Sequence, residues 1–131
     1  MPENESLERL RSSVAAFETE KRYRHTLGVE TEAAALATVL LPEKMDELRA
    51  AALLHDLTKC RSDEEQIALA KELNVPLTKE LLSSPQVLHG LTAAKLIPQL
   101  FPEYACHEIL HAISVHTTGA ADMSLFDKIL F

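Results

Sequence analysis

Glycine is scarce in this sequence, with three in 131 residues. There is no Asn-Gly or Asp-Gly pair and no run in which apolar and polar residues alternate. Hairpins and half-buried strands are therefore not expected. Cysteine is scarce too: Cys60 and Cys106 are too few for a disulfide framework, and no secretory signal is visible. No apolar run reaches the roughly 18 residues that a membrane span needs, so the cytoplasm is the expected location and no membrane partner is expected. Basic excess is also lacking. The net charge is −7, which argues against a nucleic-acid-binding surface. Any phosphate-bearing ligand would have to be drawn in locally, by a metal ion or a few basic residues.

What is present is an Ala/Leu-rich chain, 47% apolar and 25% charged, whose apolar residues recur at helical spacing. Its length suits one domain with one continuous core. Asn4 is a candidate cap for a first helix over Glu5 to Phe17, and Thr19 for a second over Lys21 to Leu40. On the second, His25, Val29, Ala33, Leu36 and Leu40 share a face. Pro42 suits the first turn of a third helix, along which Met45, Leu48, Ala52 and His55 line up. Ser62 to Glu65 reads as a capping box for a fourth helix to about Leu73, expected to serve packing alone. A turn over Asn74 to Pro76 and a short helix over Thr78 to Leu82 follow. Another helix starts near Ser83-Ser84-Pro85 and is ended or kinked by Pro98. Gly90, within it, permits close approach to the backbone. Pro102 opens a helix to about His116 with Cys106, Ile109, Ile113 and His116 on one face. Ser124 and Asp127 look like the cap of a last helix. The fold class is all-α.

Four histidines, His25, His55, His89 and His116, come from four separate helical segments. Three lie on stripes expected to face the core, and Asp56 adjoins the second. One such histidine alone would more often be a satisfied core residue. His55-Asp56 alone would more often be a helix end, where His and Lys59 offset the dipole. Together they fit a metal site built from inward side chains of facing helices, since His and Asp are both good ligands. His107 and His111 could grip a metal at i, i+4. Nine residues separate His107 from His116, a rotation of roughly 180°, so both are expected at the surface.

The order His25, His55-Asp56, His89, His116 resembles that of the HD-domain metallohydrolases. The flanking text is similar to their bacterial YqeK branch: Arg24-His25-Thr26-Leu27-Gly28-Val29, Ala52-Leu53-Leu54-His55-Asp56-Leu57-Thr58-Lys59, Leu88-His89-Gly90, Ala112-Ile113-Ser114-Val115-His116-Thr117-Thr118-Gly119, and Met123-Ser124-Leu125-Phe126-Asp127-Lys128-Ile129. The similarity runs from about residue 20 to the C-terminus. It implies an HD-domain helical bundle, taken as one domain over residues 1–131. It also implies symmetrical hydrolysis of diadenosine tetraphosphate to two ADP at a centre of one or two divalent ions, usually iron. Manganese, cobalt or zinc also suit such donors. Carried over, the metal ligands would be His25, His55, Asp56, His89 and His116, with Asp56 bridging. Asp56 and Lys59 would serve catalysis. Arg24, Lys59, Thr117, Thr118 and Gly119 would contact the nucleotide, though Arg24 equally suits an exposed surface and Thr117 to Gly119 a helix C-cap. Another HD nucleotidase or phosphodiesterase, or a nucleotide-binding module with weak or no turnover, remain as alternatives.

The sequence departs from that branch in three places. Ala120 stands where an Arg often follows the Thr-Thr-Gly turn, and Leu91 where a Pro often follows His-Gly. The branch's last ligand is an Asp a few residues beyond Phe131, and neither Asp122 nor Asp127 matches it. The expectation is a last helix incomplete at the C-terminus, or an incomplete second metal position. An unfinished apolar helix could also pack on a partner chain, giving a homodimer.

Overall fold

The most buried segment of the chain becomes its central helix. The computed structural model describes residues 2–84, 88–116 and 123–130, and these contain helices and no strand. The helices are α1 (Pro2–Ala15), α2 (Glu20–Leu40), α3 (Met45–Leu54), α4 (Asp63–Glu72), α5 (Lys79–Ser83), α6 (Leu88–Leu100), α7 (His107–Val115) and α8 (Leu125–Leu130). Every residue from Ala50 to Thr58 is buried. Around α3 pack α1, α2, α7 and α8, while α6 lies against α7 and α4. Small alanines at Ala50, Ala51 and Ala52 allow close approach from several sides at once. No described helix is long and apolar enough to cross a membrane.

Capping follows the sequence closely. The Thr19 hydroxyl accepts from the Arg22 amide at 3.2 Å. Ser62 and Glu65 form the full capping box, and Thr78 caps α5. Ser124 and Asp127 exchange two bonds of 3.1 Å, with the Asp in the place usually taken by Glu or Gln.

Elsewhere the structure corrects the sequence reading. The first helix starts at Pro2 rather than after Asn4 and ends at Ala15. Pro42 and Pro102 each open a 3-10 turn, Pro42–Lys44 and Pro102–Tyr104, rather than the helix that follows. The second break lets Phe101 bury and meet the Phe17 ring edge-on, with centroids 6.4 Å apart. Cys106 is consequently an exposed N-cap, not a core residue. Pro98 lies inside α6, which runs on to Leu100.

The larger correction concerns α2. Its buried residues are Thr26, Glu30, Ala33 and Ala37, whereas Leu36 and Leu40 are 45% and 46% exposed. The helix is turned by about one residue from the apolar stripe because its inner face is held by polar contacts. Glu30 takes bonds of 2.9 and 2.6 Å from Arg11 and of 2.9 Å from Arg49. Burial alone would push its carboxyl up; the two guanidiniums outweigh that and hold it below the usual range. This triad, centred on the buried Glu30 with both arginines half-buried, ties α1, α2 and α3 together.

Gly90 marks a tight approach between α6 and the end of α7. A Cβ there would lie 2.9 Å from the Ile113 carbonyl oxygen and 3.3 Å from the His116 ring. Gly90→Ala must therefore push the end of α7 away. We expect a loss of about 1–3 kcal/mol, measured by urea denaturation. Unchanged stability would mean that α7 is free to move.

Candidate metal centre

Four histidines meet around one carboxylate, three of them at helix ends and His25 from the second turn of α2. His55 is the C-cap of α3 and His116 that of α7, and His89 sits in the first turn of α6. Asp56, 4% exposed, stands between them. Its Oδ2 lies 3.3 Å from His55 Nε2 and 4.0 Å from His25 Nε2. Its Oδ1 lies 3.2 Å from His89 Nε2 and 3.8 Å from His116 Nε2. Each oxygen thus faces its own pair of imidazoles. Two potential ligand groups result, His25–His55–Asp56 and Asp56–His89–His116, with all donor atoms of each within 4.8 Å of one another. Ligands about 2 Å from a tetrahedral ion are about 3.3 Å apart, so both groups have a suitable spread.

The tautomers suit metal as well. His55 Nδ1 donates to the Ala52 carbonyl and His116 Nδ1 to the Ile113 carbonyl. A carbonyl only accepts, so Nδ1 carries the proton and the Nε2 lone pair points toward Asp56. The rings are closely set, with centroids 5.1 Å apart for His55 and His116 and 4.9 Å for His89 and His116. Burial pushes the Asp56 carboxyl up, but the side chains of His116, His55 and His89 gathered around it outweigh that and hold the group far below the ordinary carboxylate range. The arrangement favours the anionic form, which is the form a metal ligand needs.

A second set of contacts keeps the stretch after α3 in place. The Thr58 hydroxyl donates to the His89 carbonyl at 3.0 Å and lies 2.8 Å from that of Thr92. Gln66 donates to the Thr58 carbonyl and accepts from Thr92 at 2.9 Å. The fourth helix thus does more than pack: its Gln66 ties the His55-Asp56 turn to the helix bearing His89.

His25 reaches the site from a different direction than its stripe implied. Its side chain is 52% exposed, and its ring centroid is 6.2 Å from that of His55. It stands on the rim. Arg24 is exposed and pairs with Glu20 at 2.6 Å. The basic residue beside Asp56 is Arg22, whose Nη1 is 3.2 Å from Oδ2. The spacing held a signal for Arg22: it precedes His25 by three residues and so shares its face. Lys59 is half-buried and lines a cavity of about 420 Å³ with Thr19, Lys21, Arg22, His25 and Cys60. Thr117, Thr118, Gly119, Ala120 and Asp122 lie outside the described residues. His107 and His111 stack on each other at 5.7 Å, and His111 Nδ1 bonds the buried Asp127 at 2.8 Å. His111 is therefore a partner of the last helix's cap as well as a surface residue.

Glu18, which no sequence signal marks, is an acid that feels the charge of Asp56. Burial pushes its carboxyl up from an ordinary 4.5 to about 7; the Thr26 hydroxyl opposes the rise and the Asp56 charge adds to it. A carboxyl raised in this way favours the fold at pH values below its unfolded pKa. That contribution is lost as pH rises through the folded value. Glu18→Gln should therefore gain thermal stability relative to the metal-free parent between about pH 5 and about pH 8. A melting difference that stays constant across that range would contradict the raised value.

Comparison with known proteins agrees with this geometry. Residues 22–131 match the HD domain family. Three relatives are each named symmetrical bis(5'-nucleosyl)-tetraphosphatase. The one from Halalkalibacterium halodurans is 34% identical over 86% of this chain and 59% of its own length. The Bacillus subtilis protein is 33% identical over 86% of this chain and 59% of its own, and that of Staphylococcus aureus 31% over 86% and 56%. The chain thus spans less than two thirds of the length of these relatives. The crystal structure of a predicted HD superfamily hydrolase involved in NAD metabolism, from Clostridium acetobutylicum, superposes with a TM-score of 0.84. It is 31% identical and covers 94% of this chain and 64% of that one. With a family match over most of its length and the His-Asp cluster at the meeting point of its helices, the chain belongs to the HD domain family.

Proposed function

We propose that this domain hydrolyses diadenosine tetraphosphate symmetrically, to two ADP, at a divalent-metal centre held by His25, His55, Asp56, His89 and His116. The observation that carries the reading is the pair of Asp56 oxygens, each facing two imidazole Nε2 atoms. The shared name of the three relatives supplies the substrate. Divalent cations at such a site would lower the pKa of a water and offset charge on phosphoryl oxygens. Iron is the proposed metal, and the reaction is proposed to be cytoplasmic. One water is consumed: its oxygen bonds to a central phosphorus, the bridging P–O bond breaks, and each half leaves as ADP. Lys59, Lys21 and Arg22 line the cavity beside His25 and would take the phosphates; Arg22 replaces Arg24 in that role. Thr117, Thr118 and Gly119 keep their proposed contacts with the nucleotide. The description of the Clostridium acetobutylicum relative favours a second reading, hydrolysis of another dinucleotide.

The test is product analysis with metal-loaded protein. Diadenosine tetraphosphate should yield ADP alone; AMP with ATP would refute symmetrical cleavage. Nucleotide binding without turnover would make the domain a sensing module. Asp56→Ala should lose metal and reduce turnover by at least about 100-fold, the upper end of the loss for an outer partner. His107→Ala should leave both near the parent's. Equal losses in the two variants would refute the ligand assignment.

A further inference from the structure

Glu18 immediately precedes Thr19, the N-cap of α2, and the first two turns of that helix carry Arg22 and His25. Its Oε2 accepts a hydrogen bond of 3.1 Å from Thr26, the fully buried neighbour of His25. Its Oε1 is shielded from solvent and has no hydrogen-bond partner. A buried carboxylate oxygen without a donor is unfavourable and calls for a specific explanation, an ion or a water being the usual one. The charges of Asp56, His55 and Arg22 reach this carboxyl, and its chain neighbour Thr19 lines the cavity that Arg22, His25 and Lys59 share. It does not belong to either ligand group. A cation held by His25, His55 and one Asp56 oxygen has three protein donors. Three-donor sites are completed by water, whose hydrogens need acceptors.

We propose that Glu18 is the second carboxylate of this centre, a positioning residue whose Oε1 accepts a hydrogen bond from the water that hydrates a cation on the His25–His55–Asp56 side. This rests on the metal-centre reading above. Asp56 supplies one negative charge to two ligand groups. Glu18 adds another without entering the ligand shell, and Thr26 fixes its orientation. Outer partners of this kind orient ligands and strengthen metal affinity. The site thereby gains an acceptor facing a hydrating water, where Lys59 and Arg22 offer only donors.

Calorimetric titration of manganese(II) into metal-stripped parent and Glu18→Gln protein tests this, together with melting curves with and without manganese. The variant should bind about tenfold more weakly on one class of site. Without metal it should melt no lower than the parent at neutral pH, because an unsatisfied buried anion has been removed. Its rise in melting temperature on adding manganese should be smaller. Affinity within about twofold of the parent, with an equal thermal rise, would overturn the proposal. A metal-free variant that melts lower or does not fold would make Glu18 a structural partner of Thr26 and also overturn it. Failure of the parent to bind manganese would sink the metal centre itself, and this role with it. Binding by the parent with no change in the variant sinks Glu18 alone.

Discussion

Asp56 is a carboxylate carried into the core on the most buried segment of the chain. An isolated ion there would cost several kcal/mol, so the fold is constrained to bring compensation to it. Compensation comes from four directions. His55 is its neighbour in sequence, Arg22 and His25 come from α2, His89 from the start of α6, and His116 from the end of α7. Helix ends rather than helix middles meet at this point. That choice matters physically, because helix ends offer backbone groups not used within the helix. The carbonyls of Ala52 and Ile113 use this freedom to hold two imidazoles in a single tautomer.

The polar contacts around the centre decide geometry more than stability. An apolar core tolerates small slips of one helix along another, and a ligand set cannot. Thr58, Gln66 and Thr92 remove that freedom between the His55-Asp56 turn and α6. Glu30 with Arg11 and Arg49 removes it between α1, α2 and α3. Gly90 completes the set by letting α7 come near enough for His116 to reach Asp56. Replacing either network with apolar residues of similar volume could leave stability little changed. It would loosen the spacing on which the cluster depends.

Fold class and ligand cluster were legible in the sequence for different reasons. The helices could be read because caps such as Thr19, Ser62 and Ser124 are local chemistry, decided within three residues. The cluster could be read because four histidines on separate segments with an adjacent Asp have few apolar explanations. The orientation of α2 could not be read. Apolar periodicity assumes that the inner face is the greasy one, and here Thr26 and Glu30 are inside while Leu36 and Leu40 are half-exposed. His25 reached the site at its rim, off the stripe that had suggested it. Arg22 and Glu18 were missed because their roles are set by residues far along the chain, Asp56 above all. Gln66 was missed for the same reason: its partners, Thr58 and Thr92, lie on either side of it in sequence and meet only in the folded protein.

The charge distribution sets how the proposed polyphosphate substrate would be recognised. A chain of net charge −7 repels such a ligand at long range, but screening limits that repulsion to about 8 Å at physiological salt. Within that distance the local residues decide. Beside the histidine cluster these are Lys21, Arg22 and Lys59 around a shared cavity. Lys59 is tied to the centre by a 3.0 Å bond from its amide to the Asp56 carbonyl. The cationic lining and the His-Asp cluster therefore adjoin in one site. An anion gains from it only by entering far enough to meet both, a condition that favours an extended phosphate chain over a single phosphate. For the proposed substrate, an acidic exterior would discourage weak, distant association, and the few placed cations would reward close fit.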